Sequence, residues 1–128
     1  MKLAYVDTSC LVAIAFQEAK HEELRRRLAG YDRLFSSNLL EAELRAAMLR
    51  EDVQEDCAPL MSGIIWVFPQ QPLTDEFRTV LSAGYARGAD LWHLACGLFL
   101  RSRLPDLDFI TLDDRQNRLA ASLKFGTR

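Results

Sequence analysis

Apolar positions along this chain come in two rhythms, short continuous runs and three-to-four-residue repeats. Leu3 to Val6 is an apolar run that ends at Asp7, as a short buried strand does. Thr8 or Ser9 can then cap a helix that carries Leu11, Val12, Ile14, Ala15 and Phe16. Lys20 to Ala29 follows the helical period, with Leu24 and Leu28 inward and Gly30 as its stop. Arg33 to Ser36 is a brief strand around Leu34 and Phe35, after which Ser37 caps a long helix to Arg50. Val53 to Met61 reads as a further helical stretch, with Pro59 weakening its end. Ile64 to Phe68 is the clearest strand, an unbroken apolar run between Gly63 and Pro69.

Thr74 caps the next helix, with Asp75 and Glu76 favourably placed in its first turn. Phe77, Val80, Leu81, Gly84 and Tyr85 trace its inner face, and Gly88 breaks it. Asp90 begins a helix to Arg101, with Leu91, Leu94, Ala95, Leu98 and Phe99 inward. Leu104 to Asp106 turns the chain into a strand from Asp108 to Leu112, and a last helix runs from Asp114 to Leu123. Strands alternating with helices predict an α/β fold: a parallel sheet of four to five strands, flanked by helices on both faces. Lys124 to Arg128 leaves little room for the fifth strand.

A chain of 128 residues makes one domain, 1–128, and 49% apolar with 27% charged residues excludes disorder. A net charge of −2 excludes a simple polybasic grip on nucleic acid, although 13 of the 16 basic residues are arginine. Cys10, Cys57 and Cys96 lie far apart and form no CxxC. That argues against a disulfide scaffold or zinc knuckle and for small core residues in a reducing cytoplasm. Asp7 interrupts what could be the core of a signal peptide, and Cys10 to Phe16 is too short to cross a bilayer. The expectation is a soluble cytoplasmic protein with no membrane partner. Trp66 reads as core, and Trp92 as a helix-surface or interface residue.

The acids give the chemistry. Asp7 directly follows the first strand and Asp113 the last, and in open α/β sheets ligands collect beyond the carboxyl ends of strands. Each also suits a helix cap. With 100° between successive helical residues, Glu43 emerges beside Leu39, Leu40, Ala46 and Ala47, whereas Glu41 points to solvent. A carboxylate there needs a partner, Arg45 or Arg50, or a metal. Asp90 is either a plain N-cap or an acid presented at a helix start. His93, on the same face as Asp90, reads as a core or half-buried residue rather than a ligand, and His21 as surface. Three Asp and one Glu form a hard-oxygen set, suited to Mg²⁺ or Mn²⁺ rather than zinc. Their mutual repulsion is relieved by one or two divalent ions.

Four segments together carry a resemblance. Val6-Asp7-Thr8-Ser9 resembles the opening of PIN domains, and Ser37 to Ala47 resembles their second motif, whose acid falls six residues after the serine, at Glu43. Asp90-Leu91-Trp92-His93-Leu94-Ala95 resembles the third motif, and Phe109-Ile110-Thr111-Leu112-Asp113 the fourth. In size and pattern the chain is most similar to VapC-type toxins of toxin–antitoxin pairs. The resemblance implies a PIN-like three-layer sandwich and a metal-dependent endoribonuclease hydrolysing RNA phosphodiester bonds. It implies Mg²⁺ or Mn²⁺ held by Asp7, Glu43, Asp90 and Asp113, with Thr8 and Ser9 supporting. It also implies a homodimer and inhibition by a VapB-like antitoxin. Asp114 follows Asp113 directly, but the Thr-x-Asp spacing favours Asp113 as the fourth acid.

Other readings are a housekeeping PIN-type RNA-processing nuclease, a catalytically silent RNA- or protein-binding module, and a signalling receiver domain. A receiver needs an acid at the end of its middle strand, where this chain has Val67-Phe68-Pro69. The charge balance is consistent with an RNA substrate: setting the four acids aside leaves 14 acidic against 16 basic residues.

Overall fold

The computed structural model describes residues 1–126. The elements in order are β1 (Leu3–Val6), α1 (Thr8–Ala15), α2 (His21–Ala29), β2 (Arg33–Ser37), α3 (Leu39–Arg50), α4 (Ala58–Met61), β3 (Ile64–Val67), α5 (Thr74–Ala83), α6 (Gly88–Arg101), β4 (Asp108–Ile110) and α7 (Asp114–Ser122). The four strands lie in the order β3-β2-β1-β4, and every pairing is parallel.

β1 sits inside the sheet, and all four of its residues are buried. Leu3 and Tyr5 enter the core shared with α5, α6 and α7, through Val80, Leu94 and Leu119. Ala4 and Val6 enter the core on the other face, with Cys10 and Ile14 of α1, Leu24 of α2 and Leu44 of α3. The period-two alternation of one strand therefore feeds two hydrophobic cores, giving the helix–sheet–helix layers. α6 packs tightly at Gly97, where a Cβ would stand 3.1 Å from Phe109 of β4 and 3.2 Å from Phe125.

The winding positions the site. The chain steps outward from β1 to β2 to β3, then crosses back to set β4 on the other side of β1. The crossovers flanking β1 thus run in opposite directions, and the carboxyl end of β1 is the place where open α/β sheets collect ligands.

Several local expectations are corrected. Helix does not extend over Val53–Met61; only α4 forms, with Pro59 in its first turn, where a missing N–H costs nothing. Ahead of it the chain bends at Asp52 (φ 55°), and Asp56 Oδ1 accepts from Ala58 N–H. Gly88 opens α6 instead of breaking a helix, so Asp90 lies within the first turn and Arg87 is the cap. Leu81 and Tyr85 are 47% and 65% exposed, because α5 ends at Ala83 and buries only Val80 fully. Thr74 is the first residue of α5, after Leu73 at the cap position. The apolar run at β3 belongs to a sheet edge, which leaves Ile65 and Phe68 exposed and Trp66 half-buried.

β4 ends at Ile110, because Leu112 N–H leaves the ladder for Ser9 Oγ at 3.0 Å. In place of a fifth strand the described residues hold one parallel bridge, Asp108 to Gly126, with Phe109 N–H donating to Gly126 O at 2.8 Å. Cys10, Cys57 and Cys96 are free and buried. Among the described residues no helix is long and apolar enough to cross a membrane.

Candidate active site

Asp7 is the first residue beyond β1. Its N–H still donates to Ile110 O at 2.9 Å, which fixes the residue at the β1–β4 seam. Asp7, rather than Thr8 or Ser9, caps α1. Its Oδ2 accepts from Ser9 N–H at 3.3 Å, Ser9 Oγ at 2.7 Å and Thr111 Oγ1 at 2.9 Å. No described residue donates to Oδ1, which stands 3.9 Å from His93 Nε2.

Glu43 approaches the same end of β1 from α3, through Thr8 and His93. The buried face of α3 is Leu40, Leu44 and Met48, and Glu43 stands at its border with its side chain 34% exposed. It does not pair with Arg45 or Arg50, which bond Glu41 and Glu51 at 2.7 and 3.2 Å. Its partners are Thr8 Oγ1 at 2.7 Å and His93 Nε2 at 2.9 Å, both on Oε1. Burial pushes the Glu43 carboxyl up, but the hydrogen bonds from His93 and Thr8 outweigh it and hold the group below its ordinary value.

Asp90, in the first turn of α6, is half-buried, and no described residue hydrogen-bonds its carboxylate. Its carboxyl is raised, first by burial and then by the charges of Asp7, Asp113 and Glu43. The charges of the other three predicted acids are therefore felt at Asp90. Asp113, three residues beyond β4, caps α7 by accepting Gln116 N–H on Oδ1 at 2.8 Å, and Asp114 takes the first turn of that helix.

Sequence reasoning placed Thr8 and Ser9 here and read His93 as a core or half-buried residue, as its burial bears out, but gave no site role to His93, Thr111, Gln116 or Trp92. His93 is fully buried and touches Tyr5, Thr8 and Glu43. Its position one turn after Asp90 was the available signal. Thr111 Oγ1 lies 3.0 Å from Gln116 Oε1 as well as near Asp7, and Gln116 Nε2 donates to Asp90 O at 3.4 Å. Trp92 is half-buried, its Nε1–H donating to Ser37 Oγ at 3.0 Å. It forms one wall of an open cleft of about 490 Å³ with Asn38, Leu39, Phe68 and Pro69.

Among the described residues no group of three or more His, Cys, Asp or Glu side chains is placed to hold a metal ion by itself. Mg²⁺ does not require one, since it keeps several waters and is held through one or two carboxylates. The donor set fits such an ion. Asp7 and Glu43 each tie one oxygen to protein donors and leave the other free of them, and Asp90 leaves both.

The chain has no significant match among curated proteins. Residues 4–122 match the family model of the PIN domain, a span that runs from Ala4 within β1 through the other three strands and includes all four acids. Members of that family are in general nucleases that use divalent metals, and the chain belongs to the PIN domain family.

Proposed function

We propose that the chain is a Mg²⁺- or Mn²⁺-dependent endoribonuclease of the VapC toxin type. The observation that carries this reading is the pattern of open oxygens near the carboxyl end of β1: Asp7 Oδ1, Glu43 Oε2 and the unbonded Asp90 carboxylate. Asp7 and Asp90 are the direct ligands, and Glu43 and Asp113 act on a second ion or through bound water. The chemistry a bound ion supplies is a water of lowered pKa and neutralisation of charge on the scissile phosphate.

The chain's own residues do the rest. Thr8, Ser9 and Thr111 hold two carboxylates in fixed orientations through their hydroxyls. Arg87 and Arg115, exposed at the starts of α6 and α7 and close in sequence to Asp90 and Asp113, offer charge to an RNA backbone. The reading includes a cytoplasmic homodimer and a VapB-like antitoxin. Exposed Ile65 and Phe68, at the open sheet edge, are apolar surface that a protein contact can cover.

Incubation of the purified protein with single-stranded RNA tests the activity. Cleavage is expected with Mg²⁺ or Mn²⁺ and is lost with EDTA or with Ca²⁺, whose looser coordination does not suit an octahedral site. Cleavage that survives EDTA contradicts the reading. Expression in a bacterial host tests the toxin role. Growth arrest relieved by the product of a small neighbouring gene supports it, and a protein without effect on growth points to a housekeeping nuclease instead.

A further inference from the structure

A buried polar chain runs to Glu43 from the backbone of β2. Tyr5 lies fully buried in β1, its ring stacked on Phe109 at 5.3 Å and edge-on to His93 at 5.8 Å. Its hydroxyl oxygen accepts from Ser37 N–H at 3.1 Å and lies 2.7 Å from His93 Nδ1.

These contacts decide the imidazole tautomer. A backbone N–H can only donate, so the Tyr5 oxygen is the acceptor in that bond and its own proton is free to be given to Nδ1. A neutral imidazole that accepts at Nδ1 carries its proton on Nε2. Nε2 lies 2.9 Å from Glu43 Oε1 and 3.1 Å from Thr8 Oγ1. The opposite tautomer sets two acceptors, the Nε2 lone pair and a carboxylate oxygen, against each other at that 2.9 Å.

We propose that Tyr5 and His93 form a positioning relay: Ser37 N–H and the Tyr5 hydroxyl lock His93 in the Nε2–H tautomer, which ties Glu43 Oε1 and leaves Oε2 as the oxygen available to a divalent cation. The cation part rests on the metal-dependent reading above; the tautomer does not. The relay runs entirely within the fold, from β2 through β1 and α6 to α3, so Glu43 is oriented before any ion arrives.

Nitrogen-15 imidazole spectra of the full chain read the relay directly, with His21 as the one other histidine. In the wild type, His93 is expected to carry its proton on Nε2. In Tyr5→Phe, which keeps the ring and loses the hydroxyl, that preference is lost. Calorimetric titration with Mn²⁺ reads the consequence. Tyr5→Phe and His93→Leu are expected to weaken binding by about 10- to 100-fold, and His93→Gln, which keeps a donor near Nε2, to recover most of it. The Gln–Leu comparison stands even where Tyr5→Phe does not fold. An Nδ1–H tautomer in the wild type, or equal Mn²⁺ affinity in Gln and Leu variants, overturns the relay and leaves the nuclease reading intact. A wild type that binds no Mn²⁺ overturns both the nuclease reading and the relay's part in it.

Discussion

Thr111 Oγ1 lies 2.9 Å from Asp7 Oδ2, so the residue just beyond β4 is tied to the residue just beyond β1. The same oxygen accepts Asp113 N–H at 3.1 Å and lies 3.0 Å from Gln116 Oε1. The hydroxyl has one proton, and the charged Asp7 is its stronger acceptor. Thr111→Val keeps the shape but leaves the Asp113 N–H without this partner and Asp7 with one donor fewer. A loss of about 1–3 kcal/mol is expected in urea unfolding, and an unchanged midpoint would count against this role.

Asp90 makes the metal-free fold sensitive to pH. Its carboxyl is raised by burial and by its acidic neighbours, so ionising it costs more in the folded than in the unfolded chain. The penalty is present at neutral pH. It disappears as pH falls through the raised value to that of an unfolded carboxyl, about 3.9. Asp90→Asn is therefore expected to melt higher than the wild type in EDTA at pH 7, with the gap closing near pH 4. In saturating Mg²⁺ the order reverses, because the wild type gains the binding energy of the ion. A constant gap between pH 4 and 7 contradicts the assignment.

Three helices end on left-handed residues that are not glycine: Gln17 (φ 51°), Asp52 (φ 55°) and Lys124 (φ 69°). Each closes a Schellman turn, through Glu18 N–H to Ala13 O, Val53 N–H to Met48 O and Phe125 N–H to Ala120 O. The Cβ penalty there outweighs the unfolded-state entropy that glycine restores. Gln17→Gly and Lys124→Gly should each add about 0.5–1 kcal/mol. Asp52→Gly gains less, because Asp tolerates this conformation and because the bond from Gln54 Nε2 at 2.7 Å is lost. Thermal melts at pH 7 measure all three.

Burial, reinforced at Cys10 by the Asp7 charge and at Cys96 by Glu76, pushes both thiols up to about 12. Thiolate is the reactive form, so neither is expected to take up iodoacetamide in the native protein at pH 8. Mass spectrometry after unfolding in urea should find both alkylated. Native labelling of Cys10 or Cys96 at the rate of a free thiol contradicts their core placement.

How far the sequence was legible follows from what is local. Leu3–Val6 could be read because an apolar run closed by Asp7 has one natural meaning, and its boundaries match β1. The four acids could be grouped because a parallel sheet brings every strand's carboxyl end to one side. Asp90 and Asp113 stand at the two helix starts beside that edge, and Glu43 hangs over it from α3. Helix limits were less legible: Gly88 and Pro59 break helices internally and also begin them, and here both begin them. The role of His93 was hidden, because a histidine inside an apolar helix looks the same whether it fills a core or serves a site. Its decisive partners, Tyr5 and Glu43, lie 88 and 50 positions away.

The most direct test of the account is single-turnover cleavage of an unstructured RNA by wild type and by Asp7→Asn at equal Mg²⁺. Asparagine can still accept Ser9 N–H and cap α1, so the fold is retained while the charge beyond β1 is lost. Circular dichroism and melting confirm that retention. The expected result is cleavage by the wild type that requires the ion and a loss of at least about 100-fold in the variant, the scale of removing one group that stabilises transition-state charge. Wild-type cleavage that persists in EDTA, or a folded Asp7→Asn protein that cuts as fast as the wild type, would contradict a metal-dependent site built on Asp7.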